Sequence, residues 1–347
     1  MAYTDIDKPS DYFNTKLYTG NGSTQSISDL NFSPDLVWIK QRNGTRYHRL
    51  IDSVRGATKE LYSNSTDSEI TVADGLTSFD SNGFTLGSGI ASNGSGDTFV
   101  GWSWRGSDSS AVSNTVGSIT STVSANTTSG FSIVSFTVPS SGTFTVGHGL
   151  TVKPDLIITK GRGSADNWVV YHKSISSSNE DDYINLNTTD ATSTITDIWG
   201  TAQPTSTVVG MNAGQTLIGS QNAIAYCFAE KKGFSKFGSY TGNGNADGPF
   251  IYTGFKPAFV IIKASGFSGT DWQMYDNKRN TYNSTNNYLR PNLSNAEATG
   301  DDIDFLSNGF KIKTSSGWIN NNTYENIYMA FAESPFTTST GIPTTAR

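Results

Sequence analysis

The stretch LYTGNGSTQSISDLNFSPDLVWIK, residues 17–40, reads as a glycine-rich turn running into a short apolar strand. A cousin of it, SYTGNGNADGPFIYTGFKPAFVIIK, occupies residues 239–263, and a third version, SFTVPSSGTFTVGHGLTVKPDLIITK, occupies residues 135–160. Internal repeats decide the fold before any motif does. The copies align on Pro34, Pro154 and Pro257, and each reaches a lysine six residues later: Lys40, Lys160 and Lys263. Between proline and lysine lie DLVWI, DLIIT and AFVII, compact strands buried on at least one side. Proline suits the mouth of such a strand because it cannot donate within a ladder.

Each copy closes on a second apolar strand: TFVGWSW (98–104), NAIAYCFAE (222–230) and NIYMAFAE (326–333). Aligning Trp104, Phe228 and Phe331 gives nearly equal distances from the three prolines. Copies one and three also share SFDSNGFTLG (78–87) and DFLSNGFKIK (304–313), where Asn-Gly between apolar runs predicts a tight two-residue hairpin. The second copy lacks that turn. Units of about 100 residues, with short strands and Gly/Asn/Ser/Thr turns, predict an all-β fold of tandem antiparallel sandwich repeats, jelly-roll or lectin-like. The boundaries read as an N-terminal arm over 1–15 and repeats over 16–108, 131–232 and 233–347. The polar segment 109–130 is either a linker or an extended arm laid on a neighbour.

Composition narrows the function. Charged residues are 16% of the 347, aromatics 12%, and the formal net charge is −6 with no Lys/Arg cluster. Nucleic acid is therefore an unexpected partner. No run of about 18 apolar residues could span a bilayer, and the N-terminus lacks a signal pattern; a cytoplasmically made protein is expected. The single cysteine, Cys227, lies in the apolar run AIAYCF and excludes an internal disulfide.

The ordered set YTGNG, FSPDLVWIK, DSVRG, FDSNGF, GWSW, PDLIITK, WVVYH, IAYCFAE, GSYTGNGNADGPF, GFKPAFVIIK and SNGFKI resembles a family of repeat proteins from tailed bacteriophages of aquatic bacteria. The resemblance runs from about Asp11 to Phe336 and implies a structural or tail-fibre-like virion protein, with other virion proteins as partners. It carries over no functional residue.

Chemistry is thinly represented. His48, His148 and His172 read as structural, and no Gly-x-Ser-x-Gly elbow is present. The acidic groupings Glu180, Asp181, Asp182 and Asp301, Asp302, Asp304 lie in non-equivalent loops, so a glycan-cleaving carboxylate pair is weakly supported. No metal or cofactor is expected. The ligand-binding candidates are aromatics beside polar residues after the central strand: Trp168, Tyr171, His172 and Lys173 in unit two, and Asp271, Trp272, Tyr275, Asp276 and Arg279 in unit three. Unit one supplies Arg46, His48, Asp52 and Arg55. Such groups suit sugar stacking and hydroxyl recognition, although the same pattern also describes packing between repeats. The expectation is a non-enzymatic virion adhesin that binds host-surface polysaccharide through loops at one end of the units and assembles as a homo-oligomer, with a trimer favoured by analogy. A capsid decoration or head-fibre protein is the first alternative and a glycan-degrading tailspike the second.

Overall fold

The computed structural model describes residues 3–175, 181–200 and 204–344. The protein is an all-β fold in which each repeat is an antiparallel sandwich with a broad inner sheet and a smaller outer one. The inner sheets share one order. In unit one Phe13–Thr19, Thr98–Trp104, Leu36–Gln41 and Arg49–Asp52 lie side by side. Unit two repeats this with Phe131–Thr137, Asn222–Phe228, Leu156–Gly161 and Val169–His172, and unit three with Ser235–Thr241, Glu325–Pro335, Phe255–Ala264 and Gln273–Asp276.

The Pro-to-Lys strands are buried on both faces, for a reason visible in their alternation. Val37 and Ile39, Ile157, and Val260 and Ile262 enter the private core of their own sandwich. Leu36 and Trp38, Leu156 and Ile158, and Phe259 and Ile261 point the other way into one cluster shared by all three units. The three inner sheets thus pack around a common axis. There Trp104, Phe228 and Phe331 form a closed triangle, with ring centroids 6.3, 5.8 and 5.9 Å apart.

The chain enters unit one at Phe13, which lies in the shared core and stacks on Phe331, so residues 13–15 belong to the first strand rather than to the arm. Ile6 of the arm is buried in the same core. In segment 109–130, Val112–Asn114 and Ser121–Asn126 are strands added to the edge of the unit-two sheet, beside Phe131–Thr137. The residues act as an extended arm on unit two.

The repeated YTGNG phrase is a loop clamped by a buried asparagine. Asn93 Oδ1 accepts from Asn21 N at 3.0 Å, and its Nδ2 donates to the carbonyls of Ser23 and Gly87 at 2.6 and 2.7 Å. Asn320 does the same in unit three, accepting from Asn243 N at 2.8 Å and donating to Asn245 and Thr314 carbonyls at 2.7 and 2.6 Å. Gly22 and Gly244 supply the left-handed backbone of the loop, with φ of 69° and 68°.

The SNGF hairpins form as two-residue turns, but one position earlier than Asn-Gly chemistry predicts. Asp80 pairs with Gly83 and Leu306 with Gly309, so Ser81-Asn82 and Ser307-Asn308 make the turns. The glycines serve another purpose: a Cβ would fall 1.9 Å from the Ile27 carbonyl oxygen at Gly83 and 2.1 Å from that of Ile251 at Gly309.

Two stability outcomes follow. Phe228→Ala opens the triangle and lowers unfolding free energy by about 3–5 kcal/mol; because the core is shared, denaturant unfolding remains one coincident transition by fluorescence and circular dichroism. Asn320→Ala leaves several buried backbone groups without partners and costs about 2–4 kcal/mol by the same measurement.

Candidate functional site

Of the thirteen ligand-binding candidates eleven lie in the interior, whereas Lys173 is half-buried between Asp155 and Glu230 and Arg46 is exposed. Burial of the eleven corrects the reading of them as ligand contacts. They follow the central strand, so they fall on the next strand of the inner sheet, whose two faces line the seam to a neighbouring unit and the unit's own core. Tyr171 packs edge-on to Trp199 at 5.6 Å, and the Tyr275 hydroxyl donates to the Asp301 carbonyl at 2.9 Å. Trp168 Nε1 crosses a seam to the Tyr62 carbonyl at 2.7 Å, and Trp272 Nε1 crosses the next to the Asn185 carbonyl at 3.1 Å. His48 holds the equivalent position in unit one and accepts from Trp38 Nε1 at 3.0 Å. Asp271 is held by Asn292 Nδ2 at 2.6 Å and by Arg290 at 3.3 Å.

Two seams carry the same buried charge relay. Between units one and two, Asp52 accepts from Arg55 Nε and from the Tyr226 hydroxyl, the latter at 2.8 Å. Arg55 reaches Glu69 at 3.1 Å, and Glu69 receives Arg162 of unit two through two bonds of 2.9 Å. Between units three and one, Asp276 accepts from Arg279 Nε at 2.6 Å and from Trp102 Nε1 at 3.1 Å. Arg279 reaches Glu297 at 3.1 Å, and Glu297 receives Arg42 at 3.1 and 2.8 Å. Burial works against the Glu69 charge, but the Arg162 hydrogen bond and the Arg55 charge hold its carboxyl below the usual range.

The third seam is different. Met329 stands where Tyr226 and Trp102 provide donors, and the acid and the arginine are replaced by His172 and Ile175. His172 Nδ1 accepts from Ser174 N at 3.1 Å and Nε2 lies 3.1 Å from the Tyr328 carbonyl, which suits the neutral ring protonated on Nε2. Burial pushes its pKa down to about 4.

Lys40, Lys160 and Lys263 are fully buried, and their ammonium groups bond neutral oxygens. Lys40 donates to the Gln41 and Gly44 carbonyls at 2.6 and 2.9 Å, Lys160 to Gly161 and Thr66 at 2.7 and 3.1 Å, and Lys263 to Ala264 and the Thr270 hydroxyl at 2.7 and 3.0 Å. Burial lowers their pKa values to about 7, 8 and 8.

Beyond the lysines, at the loop end of the seam between units one and two, lies an open polar groove of about 390 Å³, lined by Glu69, Thr137, Arg162, Gly163, Gln221 and Asn222 together with Ser220. That volume is within the range of small-molecule sites. The charges of its floor are mutually paired. Its walls offer hydroxyl and amide groups: Thr137 Oγ1 donates to Asn222 Oδ1 at 3.0 Å, and Gln221 Oε1 accepts from Gly163 N and Ser164 N at 2.8 and 3.0 Å. At the matching place in unit one, Asn43 stands where unit two has Gly163, and its side chain bridges the walls to Thr98 N at 3.1 Å and Asp97 at 3.3 Å. In unit three the matching loop is closed by Phe267 stacked on Tyr324 at 4.6 Å. The repeat alignment carried this signal, as the contrast of Arg42-Asn43 with Arg162-Gly163, but it shows only once the seam is known.

The remaining reactive groups are engaged in structure. His148 Nδ1 accepts from Leu150 N at 3.2 Å and its Nε2 lies 3.2 Å from the Thr205 carbonyl. Cys227 is buried, with its thiol pushed up to about 12. Asp181 accepts from Asp197 N at 2.8 Å and Asp301 from Gln273 at 2.8 Å; Glu180 lies outside the described residues. Among the described residues no group of three His, Cys, Asp or Glu side chains could hold a metal ion.

A family model described as a domain of unknown function, DUF7483, matches residues 8–335. No curated protein and no solved structure matches the chain.

The buried cations fix a pH dependence. A lysine whose folded pKa is depressed from 10.5 adds stability that is complete above that value and lost as pH falls toward 7 or 8. His172, depressed from 6.5 to about 4, extends the loss through that lower window. The unfolding free energy from urea denaturation is expected to rise between about pH 7 and about pH 9.5, by at least about 2 kcal/mol. Above the ordinary tyrosine range the trend reverses, because burial raises Tyr226, Tyr240 and Tyr275 and their ionisation favours the unfolded chain.

Proposed function

The chain belongs to the DUF7483 family, and we propose that it is a non-enzymatic virion protein of a tailed phage, a tail-fibre-like or appendage adhesin that holds host-surface polysaccharide in the groove between units one and two. The observation that carries this reading is the open polar groove at this seam end, where unit one places the Asn43 side chain and unit three the Phe267–Tyr324 stack. Its walls present hydroxyl and amide donors and acceptors over a neutralised ion pair, a lining that suits a polyhydroxylated ligand better than an ion or an apolar molecule. The groove opens at the Lys end of the central strands. The N-terminal arm and C-terminal tail meet at the Pro end, where Asp7 accepts from Ser339 N and Oγ at 2.6 Å. In this reading the Pro end attaches to the particle and the groove faces outward. The ordered repeat motifs support a phage origin, and analogy with virion appendages supports a homo-oligomer.

Gly163→Asn tests the reading by giving unit two the residue unit one already carries. Wild-type protein is expected to bind host cells in a manner competed by soluble surface polysaccharide. The variant should bind at least about tenfold more weakly, a change of about 1.4 kcal/mol, with an unchanged unfolding midpoint. Binding to empty heads but not to cells would overturn the adhesin reading in favour of a capsid decoration protein. Shortening of the polysaccharide by the wild type would replace it with an enzyme.

A further inference from the structure

Units one and three share three outer strands, paired alike around the hairpin, to which unit three adds a fourth, Thr285–Tyr288; the shared part of one serves as a control for the other. In unit one Ser26 pairs with Thr85 and Ile27 with Phe84; in unit three Phe250 pairs with Lys311 and Ile251 with Phe310. The outward positions can therefore be matched one to one. Ser26, Ser78, Asp80 and Thr85 of unit one become Phe250, Asp304, Leu306 and Lys311 in unit three, and Ser28, just past the end of the unit-one strand, stands two residues after Ser26 as Tyr252 stands after Phe250. The inward positions stay apolar in both, as Ile27 and Phe84 against Ile251 and Phe310. The sandwich does not need the aromatics, because unit one folds the same sheet with serines.

Phe250 is 45% exposed and Tyr252 61% exposed. They are separated by one inward residue, so they project from the same face about 7 Å apart along the strand. The Phe250 ring lies against the backbone of Gly309, where a Cβ would come within 2.9 Å of its carbons, so the ring is supported from beneath. The charged groups do not form a rim around the rings. Lys311 sits directly opposite Phe250, Asp304 opposite Lys311, and Lys311 is neutralised by Asp247 at 2.6 Å.

We propose that this outer face of unit three is a carbohydrate-binding surface that takes neighbouring pyranose rings of a glycan chain on Phe250 and Tyr252. The apolar face of a sugar ring stacks on an aromatic plane, and its hydroxyls need donors and acceptors beside that plane. Asp247, Asp304, Lys311 and the Tyr252 hydroxyl supply both, interleaved with the rings and with the lysine charge cancelled. A protein-binding patch has the opposite arrangement, with charge depleted from the centre and confined to the rim. The surface is separate from the groove between units one and two, and the inference stands without it.

The test is the double variant Phe250→Ser, Tyr252→Ser, which restores the residues of unit one, compared with wild type and with Gly163→Asn on one array of purified bacterial surface polysaccharides. The double variant is expected to keep the wild-type unfolding midpoint and to lose at least tenfold in binding to one or more of the polysaccharides. Equal binding by the double variant and the wild type overturns the proposal, as does a wild type that binds nothing on the array. If only Gly163→Asn loses binding, the groove stands and this surface falls; if only the double variant loses it, the reverse holds. Wild-type self-association in sedimentation that the double variant abolishes, without loss of glycan binding, assigns the face to a second copy of the chain and also overturns it.

Discussion

The contact among Trp104, Phe228 and Phe331 at the axis sets the terms for everything around it. Three inner sheets can share one core only if each presents a large apolar side chain at the same height. That demand fixes the register of the closing strand in each unit, which pairs Trp104 with Leu36, Phe228 with Leu156 and Phe331 with Phe259. It also forces the central strands to be apolar on both faces, since one face serves the axis and the other the private sandwich core. A slip of one residue in any unit would exchange the two faces and break both cores at once.

The seams show how a shared core avoids assembling in the wrong order. Buried ion pairs contribute little net stability, because desolvation offsets much of the attraction. Their effect here is selective: Asp52 and Asp276 are held by their own Arg55 and Arg279, and each takes a further hydrogen bond across the seam, from the hydroxyl of Tyr226 or the indole N–H of Trp102. Where Met329 offers no donor, a carboxylate would be left buried and short of partners, and the chain places a neutral histidine and Ile175 instead. A unit docked on the Met329 surface would leave its buried carboxylate one hydrogen bond short, a penalty of about 1–3 kcal/mol.

Much of this architecture was legible in the sequence because it depends on period. The prolines, lysines and closing aromatics repeat at fixed spacing, and fixed spacing is how a strand keeps its inward and outward faces. What resisted reading depends on pairs far apart in the chain. The WVVYH and DWQMYD stretches look like exposed recognition aromatics until the sheet order shows that their strand lines a seam. The Asn-Gly dipeptides suggest turn positions, yet Gly83 and Gly309 are required by a carbonyl more than 50 residues away. Asn93 and Asn320 carry no local mark of the loops that they clamp.

The repeats also show where the chain is free to vary. Positions facing the axis or a seam answer to two units, so a substitution there must be matched across an interface, as the Asp, Arg and Tyr or Trp sets are. Loop ends and outer-sheet faces answer to one unit or to none. It is there that the copies diverge without compensation: Asn43 against Gly163, Ser26 and Ser28 against Phe250 and Tyr252. Folding does not account for those differences, because another copy of the same scaffold manages with the plainer residue. Divergence is thus confined to surfaces that the core leaves unconstrained, because there a change in one unit needs no matching change in another.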